Sequence, residues 1–115
     1  MNSFELVTDY GLDALAATLH QTAVDKGFWD GEINYDTIGN KLALVHSEVT
    51  EVLEAIRKSK GSEAVVEEMA DIVIRLLDLY AAMRDENLIE HSFDEILDKK
   101  LNINKERPKL HGNLF

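Results

Sequence analysis

Residues 62–85, SEAVVEEMADIVIRLLDLYAAMRD, contain neither glycine nor proline. At about 100° per residue, Val65, Met69, Ile72, Val73, Leu76, Tyr80 and Met83 form one apolar stripe. Val66, Ala70, Ile74, Leu77 and Ala81 fill the neighbouring arc. Together they cover more than half of the circumference. A helix in a monomeric four-helix bundle buries only one stripe. This segment therefore predicts a helix that also buries a face against a second subunit.

The rest of the chain agrees with an all-α fold. Proline occurs once, at Pro108, and the periodicity of the Ala, Leu, Glu and Asp residues is helical. Helices are expected over about 8–26, 37–59, 62–85 and 92–104. Thr8 or Asp9 caps the first and Gly27 ends it. Asp36 or Thr37 caps the second, Ser62 the third, and the fourth starts near Ser92 or Phe93. The turn-rich loop GFWDGEINYD joins the first two helices, and an extended tail covers 105–115. The expected architecture is a single four-helix bundle-like domain over 1–115. With 45% hydrophobic residues, a core without staples is expected. The absence of cysteine excludes a disulfide framework, a Cys-zinc site and a thiol nucleophile.

No stretch approaches the roughly 18 consecutive apolar residues of a membrane span. The N-terminal segment has early acids and no basic run before an apolar one, so it does not read as a signal peptide. A cytoplasmic protein with no membrane partner is expected. The formal net charge of −10 argues against a duplex nucleic acid partner, because phosphate contacts need Lys and Arg.

The acids are not scattered. On the second helix the core stripe is Ile38, Leu42, Val45, Val49, Val52 and Ile56. Glu48 and Glu51 lie to one side of it, between Leu44 and Ala55. On the third helix Glu68 and Asp71 flank the apolar stripe, with Ala64 before them and Arg75 after. Each pair is spaced i, i+3, which places both carboxylates on one face, where like charges repel. On consecutive antiparallel helices the pairs bring four carboxylates together. Two readings stay open: a solvated acidic flank, or a site for a hard cation such as Mg²⁺ or Mn²⁺. No glutamate has His three residues on, as a di-iron bundle needs. Phosphate loops of the P-loop type, G-x-S-x-G elbows and HExxH motifs are absent as well.

SEVTEVLEA (47–55) followed by EEMADIVIRLLDL (67–79) resembles the MazG-like nucleotide pyrophosphohydrolases, members of the all-α superfamily that also holds dimeric dUTPases and phosphoribosyl-ATP pyrophosphatases. The family signature is EExxE on one helix and ExxD on the next. Glu48 and Glu51, then Glu68 and Asp71, match it. Ser47 stands where EExxE has its first acid, which removes one group that helps to orient or deprotonate the attacking water. Lys26-Gly27-Phe28-Trp29-Asp30 is similar to a KGFWD-type loop of phage and bacterial relatives. Residues 104–112 are similar to their N-x-x-RP-x-x-HG ending. The resemblance spans about 20–112.

It implies a MazG-type helical fold, dimers or tetramers with helices packed across subunits, and Mg²⁺ or Mn²⁺. It also implies cleavage of a (deoxy)nucleoside triphosphate to monophosphate and pyrophosphate. Glu48, Glu51, Glu68 and Asp71 would hold the metal, with Glu48 or Glu51 taking the water proton. Beyond the metal, a polyanionic substrate needs cations. Lys100 and Arg107 are the candidates, with Asn104 and His111 added by the resemblance, while Lys105 and Lys109 read as solvated. Trp29 either stacks on the nucleobase or plugs the end of the bundle. The alternatives are a catalytically silent helical dimer that serves as a regulatory or interaction module, and an acidic domain that binds basic partners.

Overall fold

The computed structural model describes residues 1–107. Four helices follow one another: α1 (Ser3–Asp25), α2 (Tyr35–Arg57), α3 (Ser62–Asp85) and α4 (Phe93–Glu106). The described residues contain no strand. The three long helices are uninterrupted by proline, and their turns are signalled by glycine or by polar caps.

The helix starts differ from those expected. The first helix begins at Ser3, not near residue 8. Asn2 caps it, its side chain accepting from Glu5 N at 2.9 Å and donating to Glu5 Oε1 at 3.0 Å. The backbone of α1 breaks at Gly11 (φ 89°, ψ −176°) and resumes at Leu12. In α2 the cap is Asn34, which accepts from Thr37 N at 3.0 Å, so Asp36 and Thr37 already lie inside the helix. Gly61 precedes α3 with no side-chain cap, and Ser62 is the first helical residue. Ser92 caps α4 as expected, accepting from Glu95 N, and that helix continues to Glu106.

α3 packs on both α1 and α2, while α4 packs mainly on α1 and meets α3 only at its start, where Phe93 lies edge-on against Tyr80 at 5.2 Å. The close contacts are made by small residues: Ala16, Ala23, Ala55, Ala81 and Ala82 are all buried. Ala16, Leu77 and Ala81 form the centre of the core. Leu12, Leu15, Leu19, Tyr80 and Phe93 close around it.

The break at Gly11 is explained by what lies against it. The Asp94 carboxylate accepts from Leu12 N (2.8 Å) and Asp13 N (2.9 Å), two of the amides left free where the helix resumes. Asp13 returns the contact at the start of α4. It accepts from Phe93 N at 2.8 Å and from the Ser92 hydroxyl. Each helix start is thus capped by a carboxylate of the other, where the helix dipole favours negative charge. Burial alone raises the Asp13 carboxyl, but hydrogen bonds from Ser92, Phe93 and Tyr80 outweigh it and hold the group below its ordinary value. Burial, followed by the hydrogen bond with Asp13, pushes the Tyr80 hydroxyl up.

Much of the expected core is left open. On α2, Ile38 is buried and Val45 and Val52 are half-buried, but Leu42, Val49 and Ile56 are exposed. On α3, Met69, Val73 and Leu76 are exposed too, although they belong to the broad stripe; α1 and α2 cover the arc that carries Leu77, Ala81, Ala82 and Leu79 and leave this one open. α4 exposes Ile96, Leu97, Leu101 and Ile103. The radius of gyration is 16.2 Å, against about 13 Å for a compact chain of this length.

Candidate metal centre

Glu48 and Glu51 come from the middle of α2, and Glu68 and Asp71 from the first half of α3. A short connection over Lys58–Gly61 folds the two helices side by side, so their acidic faces meet. Glu48, Glu68 and Asp71 each offer an oxygen within 4.8 Å of the others. Burial is graded across the set: Glu48 is 8% exposed, Glu68 half-buried and Asp71 exposed. Glu48 Oε2 and Glu68 Oε2 are both buried without a hydrogen-bond partner. An unsatisfied buried carboxylate oxygen is expensive, and two of them side by side favour a positive occupant. Hard oxygen donors in this arrangement fit Mg²⁺ or Mn²⁺.

Glu51 is not one of the three convergent groups. It stands exposed at their edge. Hydrogen bonding with Glu48, then with Glu68, and repulsion from both charges push its carboxyl above the ordinary value.

Beside the acids lies a cavity of about 280 Å³. Its wall combines Glu48, Asp71 and Asp78 with the cations Lys26 and Arg75, and with apolar Leu19, Phe28 and Ile74. Arg75 is the functional candidate that sequence reasoning missed: its Nε donates to Glu48 Oε1 at 2.7 Å. The signal was present, since Arg75 follows Asp71 by one helical turn on the same face. Spacing along α3 could not tell which acid across the interface it would meet.

Trp29, left open between base stacking and plugging, is tied down. Its Nε1 donates to Asp78 Oδ1 and Oδ2 at 2.9 and 3.1 Å. His20, itself 8% exposed, brings Nδ1 to 2.8 Å from Asp78 Oδ1 and meets the indole edge-on at 5.3 Å. Lys41 Nζ stands 4.4 Å above the Trp29 ring and donates to the Phe28 carbonyl at 3.1 Å. The aromatic ring in the cavity wall is that of Phe28, 63% exposed, not that of Trp29.

The remaining candidates are not brought to the acids within one chain. Lys100 and Asn104 lie on α4 and Arg107 directly follows it, away from α2 and α3. Asn104 Oδ1 is buried without a partner. His111 and the rest of the RP-x-x-HG ending lie outside the described residues.

An all-helical chain with convergent acids from adjacent helices, beside a cavity that also presents cations, defines a class of domain suited to handling phosphates. The family model of the MazG nucleotide pyrophosphohydrolase domain matches residues 37–108. The chain belongs to that family. No curated protein and no solved structure gives a significant match. Among the described residues, no helix is long and apolar enough to cross a membrane.

Proposed function

We propose that the protein hydrolyses a (deoxy)nucleoside triphosphate to the monophosphate and pyrophosphate, with Mg²⁺ or Mn²⁺ held by Glu48, Glu68 and Asp71. The carrying observation is the pair of buried, unpartnered oxygens of Glu48 and Glu68 within the convergent set. When bound, the cation neutralises charge on the phosphates and lowers the pKa of a coordinated water. Glu51 is then the proton acceptor for the water that attacks the α-phosphorus. It lies outside the convergent three and is open to solvent, so it stays free to take a proton while the other three hold the cation. With Ser47 in place of a further acid, this work falls to Glu51 alone. The cavity wall formed by Phe28, Leu19 and Ile74 suits the flat, apolar faces of a nucleobase.

The protein acts as a homodimer or homotetramer. The exposed apolar residues of α2, α3 and α4 and the large radius of gyration support this, since a monomer would leave them in water. Association would also give α4 of one subunit a route to the acids of another, with Lys100, Asn104 and Arg107. A nucleotide substrate and a chain without cysteine fit a cytoplasmic site of action.

The test is pyrophosphate release from a panel of common and damaged NTPs and dNTPs, with and without Mg²⁺ or Mn²⁺. Turnover is expected only with metal, and Glu51→Gln and Asp71→Asn are each expected to lower kcat at least about a hundredfold. One observation favours the silent-module alternative: Arg75 already occupies Glu48 Oε1. That alternative predicts no turnover on any nucleotide and no rise in Tm with metal.

A further inference from the structure

The cations that the sequence puts forward for the phosphates stand on or after α4, away from the acids. Arg75 is at the acids. Its side chain is 43% exposed, whereas that of Glu48 is 10% exposed, so the guanidinium forms the outer half of the pair. It lines the cavity of about 280 Å³ and also an adjoining one of about 260 Å³, which Lys41 and Leu44 complete.

Three carboxylates surround this guanidinium: Glu48 across the interface, Asp71 one turn before it and Asp78 one turn after. Asp78 is engaged on both oxygens by Trp29 and on one by His20. Asp71 belongs to the convergent set. A divalent cation drawn to Glu48 repels the guanidinium at short range and competes with it for the same carboxylate, whose Oε2 is unpartnered while Arg75 holds Oε1. Asp71 is then committed to the cation, and Asp78 already serves Trp29 and His20. A polyphosphate in the cavity offers further acceptors, and its oxygens match the planar fork of five donors.

We propose that Arg75 is an exchanging counter-ion: it holds Glu48 Oε1 in the metal-free protein and passes to a phosphate oxygen of the substrate once a cation takes Glu48. This rests on the pyrophosphohydrolase assignment above. It has a consequence that a purely structural ion pair lacks, because removal of Arg75 acts with opposite signs on two affinities. The metal loses a competitor and binds alone more tightly, while the nucleotide loses a contact and binds more weakly.

The experiment compares wild type, Arg75→Gln and Arg75→Lys. Mn²⁺ alone is titrated by calorimetry, and KM and kcat are measured on the best nucleotide of the panel. In Arg75→Gln, the Kd for Mn²⁺ is expected to fall about threefold or more, the ordinary scale of one exposed charge contact. KM is expected to rise roughly ten- to hundredfold, as for a lost charge-assisted hydrogen bond. Arg75→Lys keeps the charge but not the fork, and recovers part of the loss in KM. Weaker Mn²⁺ binding by Arg75→Gln, or failure of that variant to fold while Arg75→Lys folds, would mean that Arg75 merely positions Glu48, and overturns the proposal. So does an unchanged KM. A wild type that neither binds Mn²⁺ nor turns over any nucleotide removes the assignment itself. A wild type that does both, beside an Arg75→Gln with weakened metal, removes only the exchange.

Discussion

Gly11→Ala should be among the most damaging single-methyl additions in the protein, and its cost can be built from two parts. The first is backbone strain. Gly11 has φ 89° and ψ −176°, a region that residues with a Cβ occupy at a cost of about 1–3 kcal/mol. The second is collision. A Cβ at this position would lie 2.6 Å from Asp94 Oδ2 and 3.0 Å from its Cγ. The Asp94 carboxylate cannot yield freely, because it accepts from both Leu12 N and Asp13 N. Displacing it forfeits at least one hydrogen bond to a charged group, about 1.5–3 kcal/mol. The sum, about 2.5–6 kcal/mol, is a large part of the total stability of an ordinary domain.

The control is Gly39→Ala. Gly39 lies inside α2, and its added Cβ would meet nothing within 4 Å. There the better helix propensity of alanine should stabilise by about 0.5–1 kcal/mol. Urea unfolding followed by far-UV circular dichroism measures both, at one fixed protein concentration because association adds to apparent stability. Two Gly→Ala changes of opposite sign are expected. A Gly11→Ala protein within about 0.5 kcal/mol of wild type, on the scale of an ordinary surface change, would refute the carboxylate-capped break as the reason for this glycine.

Asp78→Ala removes the acceptor shared by Trp29 and His20 and should destabilise by about 2–4 kcal/mol, with a red shift of Trp29 fluorescence as the indole is released; unchanged emission would show that Lys41 and His20 hold the ring unaided. The pH dependence carries two signs. Glu51 has a raised folded carboxyl, so the metal-free protein loses stability as pH rises from the ordinary value of 4.5 through the folded one, and neither Glu51→Gln nor metal-loaded protein should show that loss. Asp13 has a lowered one, so its contribution is full above 3.8 and disappears as pH falls through the folded value; Asp13→Asn should flatten the acid limb of a Tm–pH curve.

The parts of this structure that could be read from the sequence are those written in local spacing. ExxE and ExxD each confine two acids to one helix face, and a short turn between α2 and α3 makes those faces meet. Three of the four acids converge as that logic requires, and the fourth, Glu51, stands at their edge. The breadth of the α3 apolar arc was likewise local, and Met69, Val73 and Leu76 are left exposed on it. What stayed hidden depends on partners far away in the chain. Gly11 inside an apolar pattern looks like a tolerated defect until Asp94, 82 residues beyond Leu12, is seen capping the amides behind it. Helical residues capped by Asn2 precede that break, which puts the start of α1 at Ser3.

The same distinction separates the two kinds of cation. Basic residues clustered at a chain end attract notice because they are neighbours in sequence, which is how Lys100 and Arg107 came forward. An arginine in the middle of an apolar and acidic stretch, as Arg75 is, has no such neighbours. Yet a site that must hold a divalent cation and a polyanion in turn needs its fixed positive charge next to the acids, at a range where the two charges neutralise each other while the site waits. Within one chain Lys100 and Arg107 stand on and after α4, away from the helices that carry the acids, whereas Arg75 stands 2.7 Å from Glu48. Its place in the fold supplies the partner its sequence lacks: α3 is packed on α2, and at that seam the carboxylate of Glu48, whose side chain is 10% exposed, meets the guanidinium from the facing helix.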